Sequence, residues 1–243
     1  MKVAVMEMEI PLNPTKVLDH GYVRLVDFMG SDVSIVRAAR VSYDAEWRAG
    51  SDEKSDARLI NFLWRNKHST PFEAVEFQFE VKAPIFVFRQ WHRHRTWSYN
   101  EVSARYTELP EEFYVPRPEH IGTQSEDNKQ TRDMSYGDLE ADFEYSSKVI
   151  QEACHRAFAD YEILLKRGVP RELARSVLPV ATYSRMFAKV NLLNLFKFLT
   201  LRLHPHAQYE IRVYAQAMLD LIRPLVPVAV AAWESQETGE MKR

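Results

Sequence analysis

Thr70-Pro71-Phe72-Glu73-Ala74-Val75-Glu76-Phe77-Gln78-Phe79-Glu80-Val81-Lys82-Ala83-Pro84-Ile85 carries the plainest structural signal in this chain. Val75, Phe77, Phe79 and Val81 alternate with Glu76, Gln78, Glu80 and Lys82, the period of two that gives a strand one apolar and one polar face. Thr70-Pro71 breaks the preceding pattern. Pro84 suits the first turn of a helix, so Ile85 to about His94 should fold back as one helical segment carrying Arg89, Trp91 and Arg93. A half-buried strand needs strand partners and helices over its apolar face, and with helices outnumbering strands the class is mixed α and β, that is α+β.

Working outward towards the N-terminus, Tyr22 to Phe28 reads as a strand, and Gly30 and Ser31 supply a turn and an N-cap for a helix through Arg40. Ser55 repeats the device ahead of Leu59, Ile60, Phe62 and Leu63, which share one helical face, and Tyr43 to Asp52 reads as loop. In the other direction, Arg117 to Ser135 is polar and almost free of apolar residues, the mark of a mobile lid or a partly disordered insertion. A long helix is expected from about Leu139 to Lys166, with Phe143, Ile150, Ala153, Ala157, Tyr161 and Leu164 on one stripe, closed by Gly168 and Pro170. Arg171 to Leu178 reads as helix, Ala181 to Val190 as extended, Asn191 to Leu203 as helix, and Gln208 to Leu225 as a last amphipathic helix.

With 243 residues, 46% of them apolar, the chain can bury a sizeable core, and a single domain spanning 1–243 is expected. A formal charge of -2 argues against nonspecific binding to nucleic acid or acidic membranes, so any anion site must be local. The stretch Met1 to Pro14 is broken by Glu7 and Glu9 and lacks a signal peptide's apolar region; no apolar run approaches the length of a membrane span. One cysteine, Cys154, precludes an intramolecular disulfide, and a cytoplasmic protein is expected.

Chemistry concentrates in Arg89-Gln90-Trp91-His92-Arg93-His94-Arg95, followed by Ser98, Asn100, Glu101, Ser103, Arg105 and Tyr106. Guanidinium forks bind phosphate bidentately and aromatic rings stack on planar heterocycles, so the cluster describes a nucleotide site. The bland reading is a solvated basic helix end. Interleaving with Trp91 and Trp97, directly after a buried strand, favours a site. His92/His94 and His204/His206 raise a metal reading, but residues two apart on a helix diverge, and no Cys pair or H-E-x-x-H helix accompanies them, so no metal is expected. Cys154 on a core helix face is read as a small apolar residue rather than a nucleophile. Neither G-x-G-x-x-G nor a Walker A motif occurs, so side chains would have to hold any dinucleotide.

Arg93-His94-Arg95 with Ser98 resembles the R-H-R-x-x-S signature of the flavin-dependent thymidylate synthases, and Asn100-Glu101-x-Ser103-x-Arg105-Tyr106 resembles its continuation. His68-x-Thr70-Pro71-Phe72-Glu73, Lys82-Ala83-Pro84-Ile85, Gly168-Val169-Pro170-Arg171-Glu172-x-Ala174-Arg175, Leu201-Arg202 and His206-Ala207-Gln208 look like further family blocks, so the resemblance runs from about Gly21 to Tyr214. It implies an antiparallel sheet core with surrounding helices and a homotetramer whose sites for FAD and dUMP are shared between subunits. The implied reaction methylates dUMP to dTMP with methylenetetrahydrofolate as carbon donor and NADPH-reduced FAD as hydride donor, releasing tetrahydrofolate.

The resemblance further implies FAD contacts at Thr70, Arg93, His94, Arg95, Glu101, Asn191, Leu193 and Lys197. It implies dUMP contacts at Gln90, Trp91, His92 and Arg93 from one chain, at Glu101, Val102, Ser103, Ala104 and Arg105 from another, and at Arg175 and Arg202. Arg202 is implied to lie near the uracil and favour its ionisation. The chain departs from the family pattern at Leu193, where a polar or charged residue is usual, and at Lys197, where Asn or His is usual; Lys197 could still meet a phosphate as a point charge. A single-stranded nucleic-acid module using Trp91, Trp97 and Tyr99 as stacking platforms is the rival from another class, weakened by the slightly acidic chain. A catalytically dead oligomeric relative is the third reading.

Overall fold

Residues 13–126, 128–129, 131–134 and 140–240 are described by the structure, a computed structural model. The expected strand is there as Glu76–Pro84 (β3), the centre of a sheet that also holds Thr15–Val17 (β1), Gly21–Met29 (β2), Ser98–Glu101 (β4) and Tyr183–Asn191 (β7), in the order β1-β2-β3-β7-β4. Every neighbouring pair is antiparallel. Register puts Phe77 opposite Val190, Phe79 opposite Ala188 and Val81 opposite Met186, so the apolar residues of β3 and β7 share one face. Val23 and Leu25 of β2 complete that face, and all eight are buried.

The opposite face is polar and organised by charge. Arg24, directly across from Glu80, donates to it from Nε at 2.9 Å, Arg185 approaches the same carboxylate at 3.6 Å, and Lys189 pairs with Glu76 at 2.7 Å. Cross-strand pairs of opposite charge suit this polar sheet surface.

Helices pack on the apolar side: Asp32–Arg40 (α1), Glu53–Arg65 (α2), Ile85–Trp91 (α3), Leu192–Arg202 (α6), Tyr209–Ile222 (α7) and Pro227–Glu240 (α8) contribute to one continuous core with the sheet. The N-cap of α2 is Asp52, which accepts from the Ser55 backbone N–H at 3.1 Å, so Ser55 lies inside the helix it was expected to precede. The expected single helix to Leu225 ends at Ile222, and a further helix, α8, begins at Pro227. Pro227 suits a first helical position. The two following N–H groups, of Val228 and Ala229, donate to the Asp32 carboxylate at 2.9 and 3.0 Å, a cap lent by α1 from far away in sequence.

A smaller apolar cluster of Phe113, Cys154, Phe158, Tyr161 and Ala174 lies under the long helix Glu140–Lys166 (α4). Its buried stripe runs through Phe143, Cys154, Phe158 and Tyr161, while Ile150 and Ala153 of the expected stripe are exposed. The expected start at Leu139 lies outside the described residues. Arg171–Ala174 (α5) continues as one 3-10 turn, Arg175–Val177. The polar segment after Arg117 is not shapeless: a 3-10 turn, Pro118–His120, leads into a small hairpin of Thr123–Gln124 (β5) and Arg132–Asp133 (β6). Ser135 lies outside the described residues, as do residues 1–12, on which the reading of the N-terminus rests.

Candidate active site

The segment Arg89 to Arg105 takes its shape from two facts of the fold. Helix α3 ends at Trp91 because the chain must turn to reach the sheet, and His94 N closes that turn by donating to the Trp91 carbonyl at 2.9 Å. The signature then becomes strand β4, pairing Ser98 with Lys189 and Glu101 with Met186 on β7. Tyr99 points back and donates its hydroxyl to the His94 and Trp91 carbonyls at 3.0 and 3.2 Å, locking turn to strand.

One polar cluster forms where this turn meets the end of α6. Arg202 donates from Nε to His94 Nε2 at 3.0 Å and from Nη2 to the Gln90 carbonyl at 3.1 Å. Because Nε2 accepts, the His94 proton sits on Nδ1. Burial, and then the Arg202 charge, hold His94 down at a pKa of about 4, so it is neutral at pH 7. Burial also lowers the Arg202 pKa, yet a guanidinium stays charged, and three of its N–H groups have no partner among the described residues and are open to a ligand. The Gln90 side chain donates to Gln208, the N-cap of α7. Arg89, Arg93 and Arg95 form no ion pair among the described residues, which leaves three cations available beside the cluster.

A second cluster gathers beyond β4. Ser103 Oγ accepts from Arg105 N at 3.3 Å, Arg105 pairs with Glu172 at 3.2 Å, and Arg175 Nε donates to the Glu172 carbonyl at 3.4 Å. Its three side chains Ser103, Arg105 and Arg175 suit a phosphate. Among the described residues no hydrogen bond or ion pair joins this cluster to the first.

A wide groove of 1110 Å³ runs between α1, α2 and the 3-10 turn Thr70–Ala74. Ser42, Arg48, Lys67, His68 and Thr70 give it a polar and cationic side, and Leu59, Leu63 and Pro71 an apolar one.

Residues 24–228 match the family described as thymidylate synthase complementing protein. The chain belongs to this family. A flavin-dependent thymidylate synthase of Thermus thermophilus is 50% identical over 227 residues, covering 93% of this chain and 80% of that protein. One from Ehrlichia ruminantium (strain Gardel) is 46% identical over 233 residues, covering 96% and 77%. Among solved structures, the UMP/dUMP methylase PolB of Streptomyces cacaoi, with 5-Br dUMP bound, superposes with a TM-score of 0.81 at 37% identity, covering 91% of this chain and 97% of that one.

Of the site residues expected from the sequence, the structure gathers Gln90, His94 and Arg202 in the first cluster and Ser103, Arg105 and Arg175 in the second. Arg93, Arg95 and Glu101 are exposed, Val102 is half-buried, and His92 is half-buried with its ring edge-on to Tyr99 at 4.7 Å. Thr70 lines the wide groove apart from both clusters. Three side chains turn inward. Trp91 is wholly buried against Trp97, Phe198 and Tyr214, so its indole offers no stacking face to a nucleotide. Leu193 is buried in the core at 6% exposure, and Ala104 is likewise buried. Asn191 is the N-cap of α6, its side-chain oxygen taken by Asn194 N at 2.9 Å, whereas Lys197 is exposed.

Sequence reasoning missed Gln208 as a neighbour of Gln90, although the block His206-Ala207-Gln208 had marked the position. Tyr99 as the lock on the turn left no signal, since only the fold shows where its hydroxyl goes. No group of three or more His, Cys, Asp or Glu able to hold a metal ion occurs among the described residues.

Proposed function

We propose that this chain is a flavin-dependent thymidylate synthase that converts dUMP to dTMP, with FAD as cofactor, NADPH as reductant and 5,10-methylenetetrahydrofolate as carbon donor. The observation that carries the reading is Arg202, a half-buried guanidinium held by neutral His94 and the Gln90 carbonyl at the end of the arginine-histidine-arginine turn. A fixed positive charge in a partly dry pocket stabilises the anion that develops when a uracil loses its N3 proton. Neutral His94 orients that charge without competing with it.

Ser103, Arg105 and Arg175 would hold the nucleotide phosphate, with Glu101, Val102 and Ala104 supplying backbone on the same segment. Gln90, His92, Arg93 and Arg202 would face the nucleoside, and Trp91 contributes through its backbone alone. The donor set also fits FAD: Arg93 and Arg95, without an ion pair among the described residues, suit a diphosphate, and the groove at Thr70 is roomy enough for a dinucleotide-sized ligand. Lys197 and the His94 ring edge belong to the same proposed site, while buried Leu193 adds only packing. Bound reduced FAD supplies the hydride of the reaction. The chain's own side chains bind, orient and neutralise charge, so no protein nucleophile is required, in keeping with a buried Cys154 whose thiol pKa burial raises.

Two half-sites that no hydrogen bond or ion pair joins among the described residues support a homotetramer with shared sites, and so do the exposed Tyr145, Val149 and Ile163 on α4. No helix among the described residues is long and apolar enough to cross a membrane, and a cytoplasmic location is part of the proposal. A nucleic-acid module would need surface stacking platforms, and Trp91 and Trp97 are both inside.

The test is an anaerobic absorbance spectrum of the full chain with FAD, then with NADPH, with and without dUMP. Bleaching of the oxidised-flavin bands that responds to dUMP supports the reading, and a protein that binds no flavin overturns it. Arg202→Ala is expected to fold and bind FAD yet lose thymidylate formation by at least about a hundredfold, the usual cost of one preorganised charge donor; retained turnover would remove Arg202 from its role.

A further inference from the structure

The hairpin after Arg117 carries a charge pair with a buried carboxylate that the chemistry above does not use. Arg132 Nη2 meets the two carboxylate oxygens of Glu210 at 2.8 and 2.7 Å, and its Nη1 donates to the His120 carbonyl. Glu210 is 1% exposed and takes another hydrogen bond from the Tyr114 hydroxyl at 3.1 Å. The His120 ring stacks on Tyr209 with centroids 4.1 Å apart. Both Tyr209 and Glu210 stand in the first turn of α7, so the segment is fastened there by charge and by ring contact.

What that turn holds is the nucleotide cluster. Gln208, the N-cap of α7, accepts from the Gln90 side chain, and the Gln90 carbonyl accepts from Arg202. Packing alone does not place Gln208, because clefts of 360 and 300 Å³ both reach it and both are lined by Arg132. A carboxylate as buried as Glu210 is costly to leave without a partner, and Arg132 Nη2 reaches both of its oxygens, so the pair ties this turn to the hairpin.

We propose that Arg132 is a positioning residue for the nucleotide pocket, acting through Glu210 to hold Gln208, Gln90 and Arg202 in the arrangement that receives dUMP. The inference rests on the assignment of dUMP to Gln90 and Arg202, and its test separates the two. Calorimetric titration of dUMP into the FAD-loaded full chain is compared for wild type, Arg202→Ala, Gln208→Ala, the charge-neutral pair Arg132→Gln with Glu210→Gln, and that pair combined with Gln208→Ala.

The neutral pair removes both charges, so no orphaned carboxylate remains to unfold the protein. Its dUMP affinity should fall about tenfold with FAD content and melting temperature near wild type, and adding Gln208→Ala should cost little more, as coupled residues behave. Wild-type dUMP affinity in the neutral pair overturns the proposal, and so does a loss shared equally by FAD content and melting temperature. If Arg202→Ala itself binds dUMP undiminished, the pocket assignment fails instead. Should the neutral pair not fold, Arg132→Lys decides: it keeps the charge but not the fork, and weakens dUMP binding several-fold if the latch is real, or not at all if it is not.

Discussion

Acidification provides a direct reading of the His94–Arg202 contact. His94 is held near a pKa of about 4, against an ordinary value of 6.5, first by burial and then by the Arg202 charge. Its folded pKa lies below its unfolded one, so the unfolded chain takes up the proton first as pH falls. The stability His94 contributes is therefore complete above about pH 6.5, declines as pH drops from there towards 4, and is gone below that. Converted at 1.36 kcal/mol per pKa unit the ceiling is about 3 kcal/mol, and because the ring is only half-buried, solvent screening brings the expectation to about 1 kcal/mol.

His94→Gln keeps a side-chain acceptor for Arg202 without the titration, so subtracting its stability from that of wild type cancels every other ionising group. Urea unfolding of the flavin-free protein at closely spaced pH values from 7.5 to 4.5 should show the difference sloping by about 1 kcal/mol in favour of the variant towards acid. A flat difference across that window would refute the argument that His94 is neutral because it is buried against a guanidinium.

Trp91→Ala should behave as a core deletion, costing about 3–5 kcal/mol and lowering the melting temperature, since its ring is enclosed by Trp97, Phe198 and Tyr214. A raised KM for dUMP in a protein of unchanged stability would instead put the ring in the site. Cys154→Ala should retain thymidylate formation and lose no more than about 1 kcal/mol in denaturant unfolding; loss of turnover in the folded variant would reinstate the thiol as a participant.

Much of the fold was legible because its signals are local. The alternation in Val75 to Val81 specifies a one-faced strand from residue order alone, and the stretches Ser31 to Arg40 and Asn191 to Leu203 carry the caps and apolar spacing of helices. The elements that escaped lack such signals. Ser98-Tyr99-Asn100-Glu101 has no apolar alternation, since a short edge strand with mostly exposed side chains is defined by its partner β7. The start of α8 depends on Asp32, nearly two hundred residues earlier, as the acceptor for its free N–H groups. The hairpin before α4 is tied to α7 where Arg132 meets Glu210, a pairing that hydropathy cannot register.

The candidate site divides in the same way. From the residues alone came the dense arginine-histidine-arginine segment, the reading of Cys154 as a residue of a core helix face, and the resemblance that named a reaction, because residue types and spacings are sequence properties. Only the tertiary structure decided which members of that segment face outward. It turned Trp91 and Leu193 into core, brought Arg202 onto His94, and separated Ser103, Arg105 and Arg175 into a cluster of their own. The reason is geometric: a helix, a turn and a strand in succession point consecutive side chains in unrelated directions, and which directions lead to solvent is settled by elements far away in the chain.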